Sequence, residues 1–280
     1  MLRLKLIGAV DTLLGYLAHR LRGVTLVDGS AVSSSTGEYD AAFVAVLADG
    51  DGRTLERLLA AGKHVLVPID IGLPAAALQG LADQGREAMV RFDIGNPDRY
   101  LPSRQLIRQQ LDAGKLGEPG LIRIHRWQPA SSRASLLWDL DLLSWYFGKA
   151  PNLVRAIENA RSGSVQVHCG FAGGGMAMID HLQGPAFGDG YYSLTLIGST
   201  GAAYADDHQN MQVIFRGGTS CAVKADNGIL ALAALLQDFV DSIVSKRDLA
   251  PGIDQWHKVF AVKQAIDESL ATRLAISVSG

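Results

Sequence analysis

Short apolar segments alternate with helix-like segments in the first third of the chain, and this order limits the fold more than any other sequence feature. Leu4–Val10 and Val24–Val27 have the apolar composition of buried strands, and Thr12–Leu21 between them has a helical pattern. The same order continues with predicted strands at 41–47, 64–68 and 88–92 and predicted helices at 53–61 and 74–84. Strands that alternate with helices across short loops indicate a parallel α/β sheet.

The later part of the chain has a different pattern. Most of its predicted strands follow one another across glycine-rich turns, which is typical of a largely antiparallel sheet. These strands lie at 121–127, 165–170, 176–182, 191–197 and 211–215. Helices are predicted at 102–113, 136–147, 230–245 and 253–270. The predicted fold class is therefore α/β plus α+β, with a parallel-sheet domain followed by a mainly antiparallel one.

Composition and charge exclude several classes of protein. With 280 residues, of which 48% are hydrophobic and 19% charged, the chain can bury a sizeable core. A net charge of −2 gives no reason to expect a nucleic acid or an anionic membrane as a partner. The chain has no uninterrupted apolar window of about 18 residues, so no membrane span is expected. Cys169 and Cys221 are too few for a disulfide framework, so we expect a cytoplasmic protein.

Segments spread along most of the chain resemble one known family. The run Leu58–Leu66 is followed by Asn96–Pro102 and by Asp141–Gly148, which reads Asp-Leu-Leu-Ser-Trp-Tyr-Phe-Gly. Further matching segments are Leu111–Pro119, Ile197–Gly201 and Phe239–Ile243. In this order they resemble the glucose–fructose oxidoreductase/inositol dehydrogenase (Gfo/Idh/MocA) family. The resemblance implies a Rossmann-like nucleotide-binding-type domain over residues 1–119, an α+β domain with a large open sheet over residues 120–280, and NAD(P)-dependent oxidoreductase chemistry.

The dinucleotide-binding segment departs from the family's pattern. The fingerprint Gly-x-Gly-x-x-Gly lets the backbone approach a pyrophosphate, whereas residues 8–13 read Gly-Ala-Val-Asp-Thr-Leu and keep one glycine of three. Asp28 ends the second predicted strand, where the family places a ribose-binding acid. Only twelve residues separate Asp28 from Ala41, in an interval where the family has a helix, a strand and another helix. We therefore predict a truncated, degenerate domain in which Gly8 and Asp28 are the remaining candidates for cofactor binding.

The catalytic residues that the resemblance implies are replaced. The family has a Glu-Lys-Pro turn after the strand at 64–68, and its lysine touches both nicotinamide and substrate; here Ile69 takes the lysine position. The family's Asp and His, four residues apart on one helix, fall on Ala134 and Trp138. The chain has no lysine between 63 and 115 and no histidine between 125 and 168, so these groups are missing and not merely displaced. Removing one positioned acid–base group slows a reaction by about 10²–10⁴-fold, so the usual hydride transfer is not expected.

Other polar and aromatic residues surround the expected cleft between the two halves. Arg126, Trp127, Arg133 and Trp138 are candidates for a substrate pocket, because tryptophan and arginine side chains can hold a planar or anionic small molecule by stacking and charge. In the alternative interpretation, the two tryptophans fill space left by an absent nicotinamide. The candidate acid–base residues are His125, Asp139 and His181.

Three functions remain open at this point. The first is a family member that has lost the usual dehydrogenase chemistry, needs no cofactor, and binds a small molecule or serves as a partner subunit of a catalytic relative. The second is an oxidoreductase that uses NAD or NADP in an altered site on a sugar-like or imine substrate. The third is a non-redox lyase or isomerase with His125 and Asp139 as its acid–base pair.

Two further expectations concern ions and partners. Asp49 and Asp51, after the third strand, are expected to form a turn and not a metal site. A homo-oligomer is expected through the exposed face of the large sheet. The residues predicted for that contact are Val165, Val167, Met176, Met178, Leu194 and Leu196.

Overall fold

The residues described in this computed structural model are 1–8, 11–27, 38–129, 136–184, 190–206, 211–216, 219–224 and 227–278. The chain divides into two compact units. The first comprises Met1–Tyr100 and Gly228–His257, and the second comprises Leu101–Asn227 and Lys258–Gly280. These bounds differ from the predicted domains 1–119 and 120–280, because residues 101–119 lie in the second unit and 228–257 in the first.

Most helices and strands lie where the sequence predicts them. The strands are β1 (Leu2–Ile7), β2 (Val24–Val27), β3 (Ala41–Val44), β4 (His64–Pro68), β5 (Phe92–Gly95), β6 (Pro119–Gln128), β7 (Leu153–Glu158), β8 (Val165–Gly170), β9 (Met176–Gln183), β10 (Tyr191–Gly198), β11 (Ala202–Asp206), β12 (Met211–Arg216), β13 (Thr219–Lys224) and β14 (Ile276–Ser277). The helices are α1 (Asp11–Ala18), α2 (Arg53–Ala60), α3 (Ala75–Glu87), α4 (Pro102–Asp112), α5 (Leu136–Phe147), α6 (Asn227–Ser245) and α7 (Ile253–Thr272). Strands β7, β11, β13 and β14 were not predicted from the sequence.

The first unit is built on a five-stranded parallel sheet. Its order is β2-β1-β3-β4-β5, and each neighbouring pair is parallel. All four residues of β3 are buried, as expected for a parallel sheet covered on both faces. The predicted Rossmann-like α/β sheet is confirmed. Within the described residues β2 is the edge strand on one side of this sheet and β5 is the edge strand on the other.

Helix α6 completes the core of the first unit. Its side chains Leu235, Leu236 and Phe239 are buried in one cluster with Leu4 of β1 and other strand residues. A Cβ atom on Gly95, at the end of β5, would lie 2.8 Å from a Leu235 methyl group, so the glycine permits this close packing. By length and composition α6 could cross a membrane. Of its residues Gly228–Ser245, 39% are buried, including Leu235, Leu236 and Phe239 in the core of the first unit.

The second unit is built on a seven-stranded sheet. Its order is β11-β10-β6-β9-β8-β7-β14, in which β6 and β9 are parallel and the other pairs antiparallel. The predicted mainly antiparallel sheet is therefore confirmed. Strands β12 and β13 form a separate antiparallel pair.

The two faces of the large sheet have different environments. Along β6, Ile122, Ile124 and Arg126 are buried, whereas Arg123 and Trp127 on the alternate positions are exposed. Helix α5 packs on the buried face against β6 and β9. We call the other side the open face. Its exposed apolar side chains are Trp127, Leu153, Ile157, Met176, Ile197 and Tyr204.

Candidate functional site

An arginine and an aspartate form a buried ion pair between β6 and α5. The Arg126 guanidinium donates from Nε to both carboxylate oxygens of Asp139, at 3.1 and 2.9 Å, and from Nη2 to Oδ1 at 2.8 Å. Arg126 is 7% exposed and Asp139 is fully buried. A carboxylate buried in this way requires a paired cation, since its desolvation is otherwise unfavourable by several kcal/mol. The pair therefore fixes α5 to the sheet.

A tyrosine ring covers the face of the same guanidinium. Tyr192 of β10 lies opposite Arg126 in the strand register, and Cζ of Arg126 is 4.3 Å from the ring centroid. Cζ of Arg104, from α4, is 4.1 Å from the same centroid. Guanidinium groups stack favourably on aromatic faces. Arg126 is thus engaged on one edge by a carboxylate and on one face by a ring.

His181 lies beside this pair on the neighbouring strand. It is opposite Arg126 in the β6–β9 register, and its Nδ1 atom is 4.0 Å from Oδ2 of Asp139. Nδ1 is buried and has no hydrogen-bond partner among the described residues, while 15% of the side chain remains exposed. Burial lowers the pKa of His181; the Asp139 carboxylate opposes this shift, Arg126 adds to it and Asp180 opposes it. A neutral imidazole next to a carboxylate can accept or deliver a proton.

His125 forms a different pair on the open face. Its Nδ1 atom is 3.2 Å from Oδ2 of Asp180, which lies opposite it in the register. Trp127, two residues along, packs with Tyr191 at 5.6 Å between ring centroids. Successive side chains of a strand point to opposite faces, so His125 lies on the other side of the sheet from Arg126.

The predicted site residues are therefore only partly brought together. Arg126, Asp139 and His181 form one cluster, whereas His125 and Trp127 lie on the opposite face. The acid–base pair of His125 with Asp139 that the non-redox interpretation required does not form, because the sheet separates the two side chains. Trp138 lies half-buried on α5. Arg133 and Ala134 lie outside the described residues.

The residue predicted to stand at the family's lysine position, Ile69, is buried. Ile69 follows β4 directly, is 1% exposed, and donates its backbone N–H to the carbonyl oxygen of Gly95 at 3.1 Å. Gly8, after β1, has a φ of +71°, and a Cβ atom there would lie 3.0 Å from Cβ of Val46. Backbone conformation and packing both require glycine at this position whether or not a cofactor binds. Asp28 lies outside the described residues.

Intramolecular hydrogen bonds hold the acidic loop after β3. The Asp49 carboxylate accepts hydrogen bonds from the Thr54 hydroxyl at 2.6 Å and from the Thr54 backbone N–H at 2.7 Å. These bonds cap the first turn of α2 and hold the pKa of Asp49 below its usual range. Asp51 pairs with Arg53 at 2.7 Å. Among the described residues no group of three histidine, cysteine, aspartate or glutamate side chains could hold a metal ion.

Sequence reasoning did not identify Arg104 and Tyr192. Nothing in the local sequence separates Tyr192 from the neighbouring aromatic Tyr191, and only the register of β10 against β6 places it on the ring face of Arg126. Arg104 is 1% exposed on a helix whose other arginine, Arg108, is more accessible. The sequence offers one signal for the burial of Arg104, which is that a basic residue stands at an otherwise apolar position of the helix.

Comparisons with known proteins support the predicted family resemblance. No family model matches the chain. The inositol 2-dehydrogenase of Rhizobium meliloti (strain 1021) is 20% identical over 300 residues, which cover 97% of this chain and 89% of that protein. The scyllo-inositol dehydrogenase from Lactobacillus casei, solved with bound NAD(H) and scyllo-inositol, superposes with a TM-score of 0.80 at 18% identity over the whole of both chains. The myo-inositol 2-dehydrogenase from Lactobacillus plantarum gives 0.80 at 16% identity over 99% of both chains.

These relatives establish the architecture of the chain. They are inositol dehydrogenases of the Gfo/Idh/MocA type, and the likeness extends along the full length. The resemblance inferred from the sequence is confirmed, and the chain has the two-part fold of that family.

Proposed function

We propose that this chain is an oxidoreductase-like protein of the Gfo/Idh/MocA type that does not carry out the family's lysine-dependent hydride transfer. It binds a small molecule without a nicotinamide cofactor, or it serves as the partner subunit of a catalytic relative. The observation that carries this proposal is the burial of Ile69, which is 1% exposed and which the sequence resemblance predicts to replace the family's lysine. A branched apolar side chain cannot transfer a proton or bind a substrate hydroxyl.

Two further features support the proposal. Only one of the three fingerprint glycines remains, and Gly8 has a structural reason of its own. Strand β2 ends the sheet among the described residues, and the interval before β3 is too short for the helix, strand and helix that the family places there. The part of the domain that would contact adenosine is therefore reduced.

Isothermal titration calorimetry with NAD, NADH, NADP and NADPH tests this function. We expect no binding heat from any of the four. The L. casei scyllo-inositol dehydrogenase, whose structure contains NAD(H), is the positive control under the same conditions. A sub-millimolar Kd for any of these cofactors would contradict the proposal.

The second candidate is an oxidoreductase with an altered site. It is favoured by His181, whose imidazole lies beside the Asp139 carboxylate and could act on a substrate hydroxyl in place of the missing groups. Solved relatives include GenD2 from gentamicin A biosynthesis in complex with NAD, with a TM-score of 0.79 at 17% identity. An absorbance change at the nicotinamide band with a sugar or imine substrate, lost in His181→Gln, would favour this candidate. A lyase or isomerase based on His125 and Asp139 loses support, because those residues lie on opposite faces.

We also propose that the chain forms a homo-oligomer through the open face. Six large apolar side chains are exposed there, a concentration that marks interaction surfaces. Of the contact residues predicted from the sequence, Met176 and Met178 lie on this face. The remaining four lie on the other side of the sheet: Val165, Val167, Leu194 and Leu196. A cytoplasmic location is consistent with the buried, unpaired Cys169.

The Met176→Glu variant should dissociate this oligomer. Met176 is 59% exposed, so the substitution leaves the fold intact and places a charge in the contact. Sedimentation at micromolar concentration should give an oligomer for the unmodified chain and a monomer for the variant. Met89→Glu, at a position 90% exposed in the first unit, is the matched control and should remain oligomeric. A monomeric unmodified chain would refute the proposal.

A further inference from the structure

The buried cluster around Asp139 determines how His181 can hold its proton. A carboxylate only accepts hydrogen bonds. Nδ1 of His181 lies 4.0 Å from Oδ2 of Asp139, beyond hydrogen-bond distance, and has no hydrogen-bond partner among the described residues. A lone pair on Nδ1 would face the negative oxygen, whereas a proton there is attracted to it. The geometry therefore favours the tautomer with hydrogen on Nδ1.

The second ring nitrogen is then left as an acceptor. In a neutral imidazole one nitrogen donates and the other accepts, so a proton on Nδ1 leaves the lone pair on Nε2. The side chain is 15% exposed, and Nδ1 is the buried nitrogen. The burial that lowers the pKa of His181 keeps the ring neutral near pH 7. The accessible edge of the cluster thus offers a basic atom.

The cations of the cluster are already engaged. Arg126 is held by three hydrogen bonds to Asp139 and by the ring of Tyr192. Arg104 is 1% exposed, stacks on the same ring and donates from Nη1 to the Ser103 hydroxyl at 2.7 Å. Both guanidinium groups are buried, so a ligand at the accessible edge of the cluster meets the Nε2 lone pair of His181. That lone pair accepts a hydrogen bond from a neutral donor, whereas it offers no hydrogen to an anionic oxygen.

We infer that His181 presents Nε2 as a hydrogen-bond acceptor to a hydroxyl or N–H group of an uncharged ligand, with Asp139 as the positioning residue that directs Nδ1–H inward. The inference rests on the proposed small-molecule function and names the chemical class of the ligand. The residue that contacts the ligand in this proposal is His181 of strand β9. The family's acid–base pair, by contrast, is expected on a helix.

Nitrogen-15 NMR of the histidine side chains tests the tautomer directly. Long-range proton–nitrogen correlations, recorded above the imidazole pKa and assigned by the signal that His181→Gln removes, should show hydrogen on Nδ1. This is the less populated tautomer of a free imidazole in water, so the outcome is distinct from that of an unconstrained ring. Hydrogen on Nε2, or a mixture like that of the free side chain, would overturn the inference.

Two variants separate positioning from a general structural effect. Asp180→Asn should alter the tautomer of His125 and leave the hydrogen of His181 on Nδ1, because Asp180 bonds the histidine on the open face. Asp139→Asn should reverse the tautomer of His181, since an amide can donate where a carboxylate cannot. If Asp139→Asn does not fold, the spectrum of the unmodified chain still shows which ring nitrogen of His181 carries the hydrogen.

A matched pair of probes tests the ligand class. Sorbitol 6-phosphate has the polyol chain of sorbitol and an added, negatively charged phosphoryl group. We expect the His181 Nε2 signal to move with sorbitol and not with its phosphate. Movement with the phosphate, or with neither, would overturn the assignment to an uncharged hydroxyl ligand. These spectra contain no nicotinamide cofactor, so their result is independent of the calorimetric test of the proposed function.

Discussion

The Asp139→Asn variant should lose about 3–5 kcal/mol of its free energy of unfolding. Asp139 is fully buried and accepts three hydrogen bonds from Arg126. Asparagine keeps the shape of the side chain but removes the charge, and its amide group opposes the guanidinium donors. The variant thus leaves a buried, uncompensated cation. Urea unfolding followed by tryptophan fluorescence measures the loss.

The control for this prediction is the same chemical change at an exposed pair. Asp267 and Lys263 are 2.6 Å apart on α7, with side chains 58% and 36% exposed. Asp267→Asn should change the free energy of unfolding by less than about 0.5 kcal/mol. The double variant Arg126→Met with Asp139→Leu should recover most of the lost stability, because apolar replacement removes both charges together. Equal small losses in the two aspartate variants would contradict the description of the buried pair.

The fold was predictable because its main signals are local. Buried apolar runs such as those of β3 and β4 are covered on both faces, so their composition identifies them without knowledge of neighbours. The alternation along β6 likewise separates a buried from an exposed face. Parallel and antiparallel pairing then followed from the presence or absence of intervening helices.

The predictions that failed depended on distant contacts. The strand predicted at 88–92 begins only at Phe92, because α3 continues to Glu87. Gly85, within that helix, packs against Phe92 of the strand. Strand β7 was not predicted, although its burial alternates, since it is completed only by pairing with β8 and β14. The return of α6 to the first unit depends on its contact with Gly95, which no local pattern reveals.

The sequence suggests candidate residues for the site, but it does not show which of them lie together on one face of the sheet. The sequence singles out polar and aromatic residues near the end of β6. Consecutive residues of a strand point in opposite directions, and this separates His125 from Arg126. The neighbours of Arg126 come from other strands through register. His181 could be placed beside it only once the parallel pairing of β6 with β9 was known.

The Ile69→Lys variant should be destabilised by about 4–5 kcal/mol at pH 7 and by about 2 kcal/mol at pH 9. Ile69 is 1% exposed, so a lysine introduced there is desolvated and its pKa falls below its ordinary value in the folded state. The unfolded chain then binds more protons than the folded chain, and stability rises with pH until the unfolded lysine also loses its proton. Urea unfolding at the two pH values measures the difference.

This variant also tests whether the lysine position is closed. Ile69→Met keeps an uncharged side chain of similar volume and should lose less than about 1.5 kcal/mol, with no dependence on pH. In a groove open to solvent or cofactor, the new ammonium group would remain hydrated and Ile69→Lys would resemble Ile69→Met. That outcome would remove the main support for the proposal that this chain does not carry out the family's hydride transfer. A large, pH-dependent loss confined to the lysine variant would instead mean that isoleucine fills the space where the family's reacting groups meet, and that restoring one lysine cannot restore the chemistry.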